Sequence, residues 1–161
     1  MYLLDANVFI SAKNAHYGLD FVPAFWQWLE ASHAAGRVFT VAAVGDEIGA
    51  GGDELVTWSK AQPGSFYLAP NASTVQSLQA TSQWASSQRF QQAAVNEFLG
   101  AGDYYLVAQA HATGYTVVTH EKPAPQAMKK IKIPQACAAL GVRCITPWQM
   151  LRFEQARFVL P

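Results

Sequence analysis

Three short apolar runs separated by helically spaced stretches constrain this chain more than any other feature of its sequence. Tyr2-Leu3-Leu4, Val38-Phe39-Thr40-Val41 and Tyr115-Thr116-Val117-Val118 lack the regular polar alternation of a half-exposed strand. Strands that read this way are buried on both faces, and such strands belong mostly to parallel sheets covered by helices. Parallel neighbours also need long crossover connections, which the intervening helical patterns supply. The expected fold class is therefore α/β: a three-layer α/β/α sandwich with a mostly parallel central sheet. Tyr2–Leu4 and the 115–118 run should both be interior, with a fourth strand near 142–145.

The helical stretches have recognisable starts and stops. Pro23 opens a pattern in which Val22, Phe25, Trp26 and Leu29 share a face, and Gly36 follows as a stop. A helix from about Ala42 carries Val44, Glu47 and Ile48 before the glycine cluster at 49–52. Asp53-Glu54 caps another helix bearing Leu55, Val56 and Trp58. Residues 72–98 are rich in Gln and Ser, yet Val75, Leu78, Ser82 and Ala85, then Ala94, Val95, Phe98 and Leu99, fall at helical intervals. Two helices with a break near Ser86-Ser87 are expected. Gly102-Asp103 precedes a helix that ends at Gly114. A Pro- and Lys-rich loop, "EKPAPQAMKKIKIP", spans 121–134, and short helices follow near Cys137–Leu140 and from Pro147. The Pro-Gly pair at 63–64 reads as a turn. Of the aromatic set Phe21, Phe25, Trp26, Trp28 and Trp58, most should be core. Trp26 and Trp28 lie two residues apart and cannot both face inward, so one should be exposed, as a protein partner or a homodimer face would require.

At 161 residues the chain is expected to be one domain, 1–161, and 51% hydrophobic residues suffice for a core. Eleven basic and eleven acidic residues cancel, but not locally: residues 1–121 hold ten acids and four bases, and 122–161 hold one acid and seven bases. Two cysteines, Cys137 and Cys144, are too few for a disulfide scaffold and lack metal-finger spacing, so reduced thiols are expected. No window reaches the roughly 18 apolar residues of a membrane span. The opening Met1-Tyr2-Leu3-Leu4-Asp5 is unlike a signal peptide, so a cytoplasmic location is expected.

Several acids occupy strand ends or helix starts. Asp5 closes the first strand, Glu47 lies in the helix after the second, Asp103 opens a helix, and Glu121 follows the 115–118 strand. In parallel α/β sheets the carboxyl ends of the strands form the ligand crevice, so these four acids are expected near one rim. Taken singly, each has an ordinary reading: Asp103 as a helix cap, Glu121 and Glu47 as solvated charges. Asp5 is the hardest to dismiss, because an acid ending an apolar strand is buried and must be paired.

In order along the chain, "YLLDANVFI", "VGDEI", "GDYYLVAQA" and "VVTHE" resemble the motifs of a PIN domain. The chain is similar in particular to the PIN-like DUF4411 group and, more broadly, to VapC-type ribonuclease toxins. That resemblance covers nearly the whole chain. It implies that Asp5, Glu47, Asp103 and Glu121 are the catalytic, metal-ligating acids, with Asp46 a weaker alternative to Glu47. The usual last acid of the pattern is Asp, and Glu121 replaces it here in Thr119-His120-Glu121. Asn7 and Thr119 are implied to support the ligands. The implied activity is a metal-dependent endoribonuclease, the toxin of a type II toxin–antitoxin pair, with Mg²⁺ or Mn²⁺ as cofactor and an antitoxin protein as partner.

The chemistry is coherent with that set. At an effective dielectric of 20 and about 4 Å, each pair of like charges costs roughly 4 kcal/mol. A divalent cation removes the penalty, and oxygen ligands select Mg²⁺ or Mn²⁺. Acids also repel a phosphate backbone, so RNA contacts are expected from Lys122, Lys129, Lys130 and Lys132. His16, Tyr17 and His120 are further candidates for stacking or hydrogen bonding to a nucleotide. Two alternatives remain at this point. A haloacid-dehalogenase-like phosphatase also starts with an Asp after the first strand, but it needs a second Asp where Asn7 stands. A PIN-fold interaction module without catalysis would need an essential acid to be lost.

Overall fold

The computed structural model describes residues 1–159. Five strands, β1 (Tyr2–Leu4), β2 (Val38–Val41), β3 (Tyr67–Leu68), β4 (Thr116–Val118) and β5 (Cys144–Ile145), form one sheet in the order β3-β2-β1-β4-β5. Every pairing is parallel, with Tyr2 opposite both Val38 and Thr116. The two runs expected to be interior are interior, and Leu3, Leu4, Val38, Val117 and Val118 are fully buried. Thr40, the polar member of β2, is buried too, and its Oγ1 donates to the Leu4 carbonyl at 2.6 Å. Burial of that hydroxyl therefore costs little.

Helices cover both faces of the sheet in a three-layer α/β/α arrangement. They are α1 (Ala6–Ser11), α2 (Pro23–Ala34), α3 (Ala42–Gly49), α4 (Glu54–Ala61), α5 (Ala72–Ser87), α6 (Gln92–Gly100), α7 (Gly102–Thr113), α8 (Ile133–Ala139) and α9 (Pro147–Phe153). Gly36 and Gly114 end α2 and α7 with φ of 70° and 73°, a region that favours glycine. Asp53 caps α4 by accepting from Leu55 N–H. Both thiols are free, Cys137 being buried. Among the described residues no helix is long and apolar enough to cross a membrane.

The structure adds two elements to those expected and refines two readings. The 63–64 turn leads into a single 3-10 turn (Gly64–Phe66) and then β3, an edge strand too short to register as a pattern. A helix, α1, follows Asp5 directly and continues into a π-helical turn, Ala12–His16. On α5 the buried residues are Thr74, Ser77, Thr81 and Ala85, so Val75 (50% exposed) points outward. The inward face is mostly polar because α5 packs on α7 through hydrogen bonds: Thr74 Oγ1 to Gln109 Oε1 at 2.8 Å, and Ser77 Oγ with His111 Nδ1 at 2.9 Å. Last, most of the aromatic set is core, as expected, with Phe25, Trp26 and Trp58 buried, and Phe21 is the member left 66% exposed. Trp26 is buried as one of its pair had to be, and Trp28 is half-buried near Phe158.

Candidate functional site

The strand order reverses between β1 and β4: β2 and β3 extend the sheet on one side, and β4 and β5 on the other. Such a switch point opens a crevice at the carboxyl ends of the strands. Asp5 and Thr119 follow β1 and β4 there, with Asp5 N–H donating to the Val118 carbonyl at 3.0 Å.

Thr119 organises this edge. Its Oγ1 accepts from Asn7 Nδ2 (3.2 Å) and from Glu121 N–H (3.1 Å), and it donates to Asp5 Oδ2 at 2.7 Å. A hydroxyl has one proton and two lone pairs, so all of its capacity is used. Asn7 Oδ1 in turn accepts from His120 N–H at 3.1 Å. The side chains of Asn7 and Thr119 thus lock the turn after β4 against the start of α1.

Asp5 is 3% exposed. Burial, and then the negative charge of Asp103, push its carboxyl up to about 7; the Thr119 hydrogen bond pulls the other way, and Glu121 and Glu47 add to the rise. Asp103 is pushed up to about 6 by burial and by Glu121 and Glu47, against the pull of Lys130 and Lys132. The four expected acids therefore share one electrostatic field. Asp103 does not cap α7, since Ala101 holds that position and Asp103 lies in the first turn. Its ordinary reading is thereby removed.

Glu47 reaches this site from α3. A Cβ placed on Gly102 would sit 3.2 Å from Glu47 Oε2, so a glycine ahead of Asp103 lets the two segments approach. Both Asp46 and Glu47 are exposed and line a cleft of about 560 Å³, together with Asp103, Glu97, Lys130 and Tyr105. Glu97 was not foreseen from the sequence; it lies 4.0 Å from Lys130, and no motif marks it.

Glu121 is held differently from the other three. Oε2 accepts from Ile133 N–H, the first residue of α8, at 2.7 Å, and Oε1 pairs with Lys132 Nζ at 3.2 Å. Both oxygens are thus engaged by the segment that follows the basic loop. Lys122, Lys129 and Lys130 are exposed, whereas the Lys132 ammonium turns inward to Glu121. Of the stacking candidates, Tyr17 lies flat on Phe25 (4.4 Å between centroids), on the core side. His16 and His120 instead gather around Trp148, each 4.9 Å from its ring.

The donor set is entirely oxygen, which suits a hard divalent cation. Among the described residues, no three His, Cys, Asp or Glu side chains stand close enough to hold a metal ion as they are. Like charges oppose such a grouping until a cation offsets them, and Glu47, the exposed member, lies on the cleft.

A five-stranded parallel sheet with acids gathered at its switch point defines an α/β protein with an acidic crevice. The chain belongs to the family described as domain of unknown function (DUF4411), whose model matches residues 2–158. No curated protein and no solved structure matches it.

Proposed function

We propose that the protein is a metal-dependent nuclease of the PIN-like class that hydrolyses RNA phosphodiester bonds as the toxin of a toxin–antitoxin pair. One observation carries the hydrolytic reading. Asp5 is almost fully buried, and Thr119 meets only one of its oxygens, while three further carboxylates act on it. A buried anion among anions calls for a cation. Support for RNA as substrate, and for a toxin with an antitoxin partner, comes from the ordered motifs of the sequence alone.

In this reading Asp5, Glu47 and Asp103 hold Mg²⁺ or Mn²⁺, and Glu121 stands beside them. When bound, such a cation polarises a phosphate oxygen and lowers the pKa of an attacking water. The chain's own part is to position. Thr119 fixes one oxygen of Asp5 and leaves the other without a hydrogen-bond partner among the described residues. Asn7 holds Thr119 in that role. The Glu121–Lys132 pair orients the start of α8, and Lys122, Lys129 and Lys130 offer cations to the phosphate backbone.

The test is an incubation of single-stranded RNA with the protein in Mg²⁺, Mn²⁺ or EDTA. Cleavage is expected with either metal and not in EDTA, and Asp5→Asn should abolish it. A metal-independent activity, or an Asp5→Asn protein as active as the wild type, would refute the mechanism.

A further inference from the structure

A second cavity, of about 280 Å³, adjoins the acidic cleft, and Ala43, Asp46 and Tyr105 line both. Its inner wall is made by the ends of β2 and β3 (Val41, Leu68), by Pro70, and by Thr74, Tyr105 and Gln109. Tyr105 and Gln109 are four residues apart on α7 and so share a face, with Gln109 about 9 Å along the axis from Asp103. Gln109 is 3% exposed. Its Oε1 meets Thr74 Oγ1 at 2.8 Å, and Nε2 is not among the buried polar atoms left without a partner, so the amide keeps an opening to this space.

An amide N–H₂ that opens on this volume can donate to a ligand with an acceptor atom. The remaining walls narrow the class of ligand. They are apolar or aromatic, and among the described residues the only charged side chain that lines the space is the exposed Asp46. The volume lies just below the ~300–1,000 Å³ of sites for whole drug-sized ligands. A small, neutral, planar group with a hydrogen-bonding edge meets each condition. Protein pockets hold unstacked nucleobases in this way, with a ring beside the base and a polar side chain on its edge.

We infer that the cavity between α7 and the ends of β2 and β3 is a nucleobase pocket, which receives a base next to the phosphate in the acidic cleft. Gln109 donates to the base edge, and Tyr105 lies against the ring at the boundary of the two spaces. The inference rests on the nuclease reading for its choice of ligand, but not for its test.

The four ribonucleoside 5′-monophosphates are titrated separately into the full chain in EDTA, with the Gln side-chain amides and the backbone amide of Tyr105 followed by NMR. At least one nucleotide is expected to shift both Gln109 and Tyr105, and Gln109→Met, which keeps the volume, should weaken its binding about tenfold. Tyr105→Ala, at a half-buried position, supplies the comparison if Gln109→Met unfolds. Binding that leaves these signals unmoved, or affinities unchanged in both variants, overturns the pocket. Gln109-dependent binding by a protein that cleaves no RNA supports the pocket and sinks the nuclease. Metal-dependent cleavage with base preference untouched by Gln109→Met does the reverse.

Discussion

The Thr119 hydroxyl has one place to send its proton, Asp5 Oδ2 at 2.7 Å, because Asn7 and Glu121 N–H occupy both of its lone pairs. Thr119→Val keeps the shape and removes all three contacts. It leaves a buried carboxylate oxygen and two donors unmet, so stability at pH 8 should fall by about 2–3 kcal/mol. The carboxyl of Asp5 should also rise further, since this hydrogen bond is what lowers it. Urea unfolding at pH 8 and carboxyl NMR titration check both effects; a change within 0.5 kcal/mol, on the order of a neutral surface substitution, would remove Thr119 from the site.

The raised carboxyls of Asp5 and Asp103 set a pH dependence of known sign. Both values in the folded chain, about 7 and about 6, exceed the ordinary 3.8 of the unfolded chain. Their contribution is thus full below pH 3.8 and is lost as pH rises through 6 and 7. In EDTA, stability should decline between pH 5 and pH 8, by on the order of a few kcal/mol. Saturating Mg²⁺ should reverse the trend, because a bound cation favours the ionised forms. Melting temperatures across that range, with and without metal, test it; a flat profile in EDTA would count against the shared field.

Asp103→Asn removes one charge from that field without costing α7 a cap, since Asp103 makes none. Metal-free stability at pH 8 should rise by about 1 kcal/mol as repulsion is relieved. Cleavage should be lost, and calorimetry should find weaker Mg²⁺ binding. A variant that melts lower than the wild type and still cleaves RNA would return Asp103 to a structural role.

The basic segment should divide into two kinds of lysine. Lys122 and Lys129 are exposed and are not among the charges that pull on Asp103, so replacing both by Ala should weaken RNA binding and reduce its salt slope by about 1.4, the share of two phosphates on a single strand. Lys132 pairs with Glu121 at 3.2 Å and lowers the Asp103 carboxyl. Lys132→Met should therefore raise that carboxyl and alter metal affinity, with less effect on the salt slope. Filter binding at several salt concentrations separates the two; equal slope changes would make Lys132 a plain backbone contact.

The parallel sheet was legible because β1, β2 and β4 are apolar runs without alternation, a pattern that parallel burial demands. β3 escaped because Tyr67 and Leu68 are two residues whose pairing depends on β2 already being in place. The inward face of α5 was misread for a related reason. Thr74 and Ser77 are buried by partners on α7, and sequence periodicity counts them as polar. The acids Asp5, Glu47, Asp103 and Glu121 stood out through their positions at strand ends and helix starts. What lay beyond sequence was how they are held: the saturated Thr119 hydroxyl, the inward turn of Lys132, and the Gln109 amide at the edge of the second cavity. Each depends on residues brought together from distant segments.

The strand order carries a consequence for biogenesis. Asp5 precedes its partner Thr119 by 114 positions, and β1 sits between strands that follow it by dozens of residues. Contacts so distant form late, after the loops between them have closed. A growing polypeptide that has not yet reached Thr116 already contains Asp5, Glu47 and Asp103 but has no β4 to set beside β1. The crevice therefore comes into being only after Thr119 has been added, and no fragment that stops short of β4 can carry it.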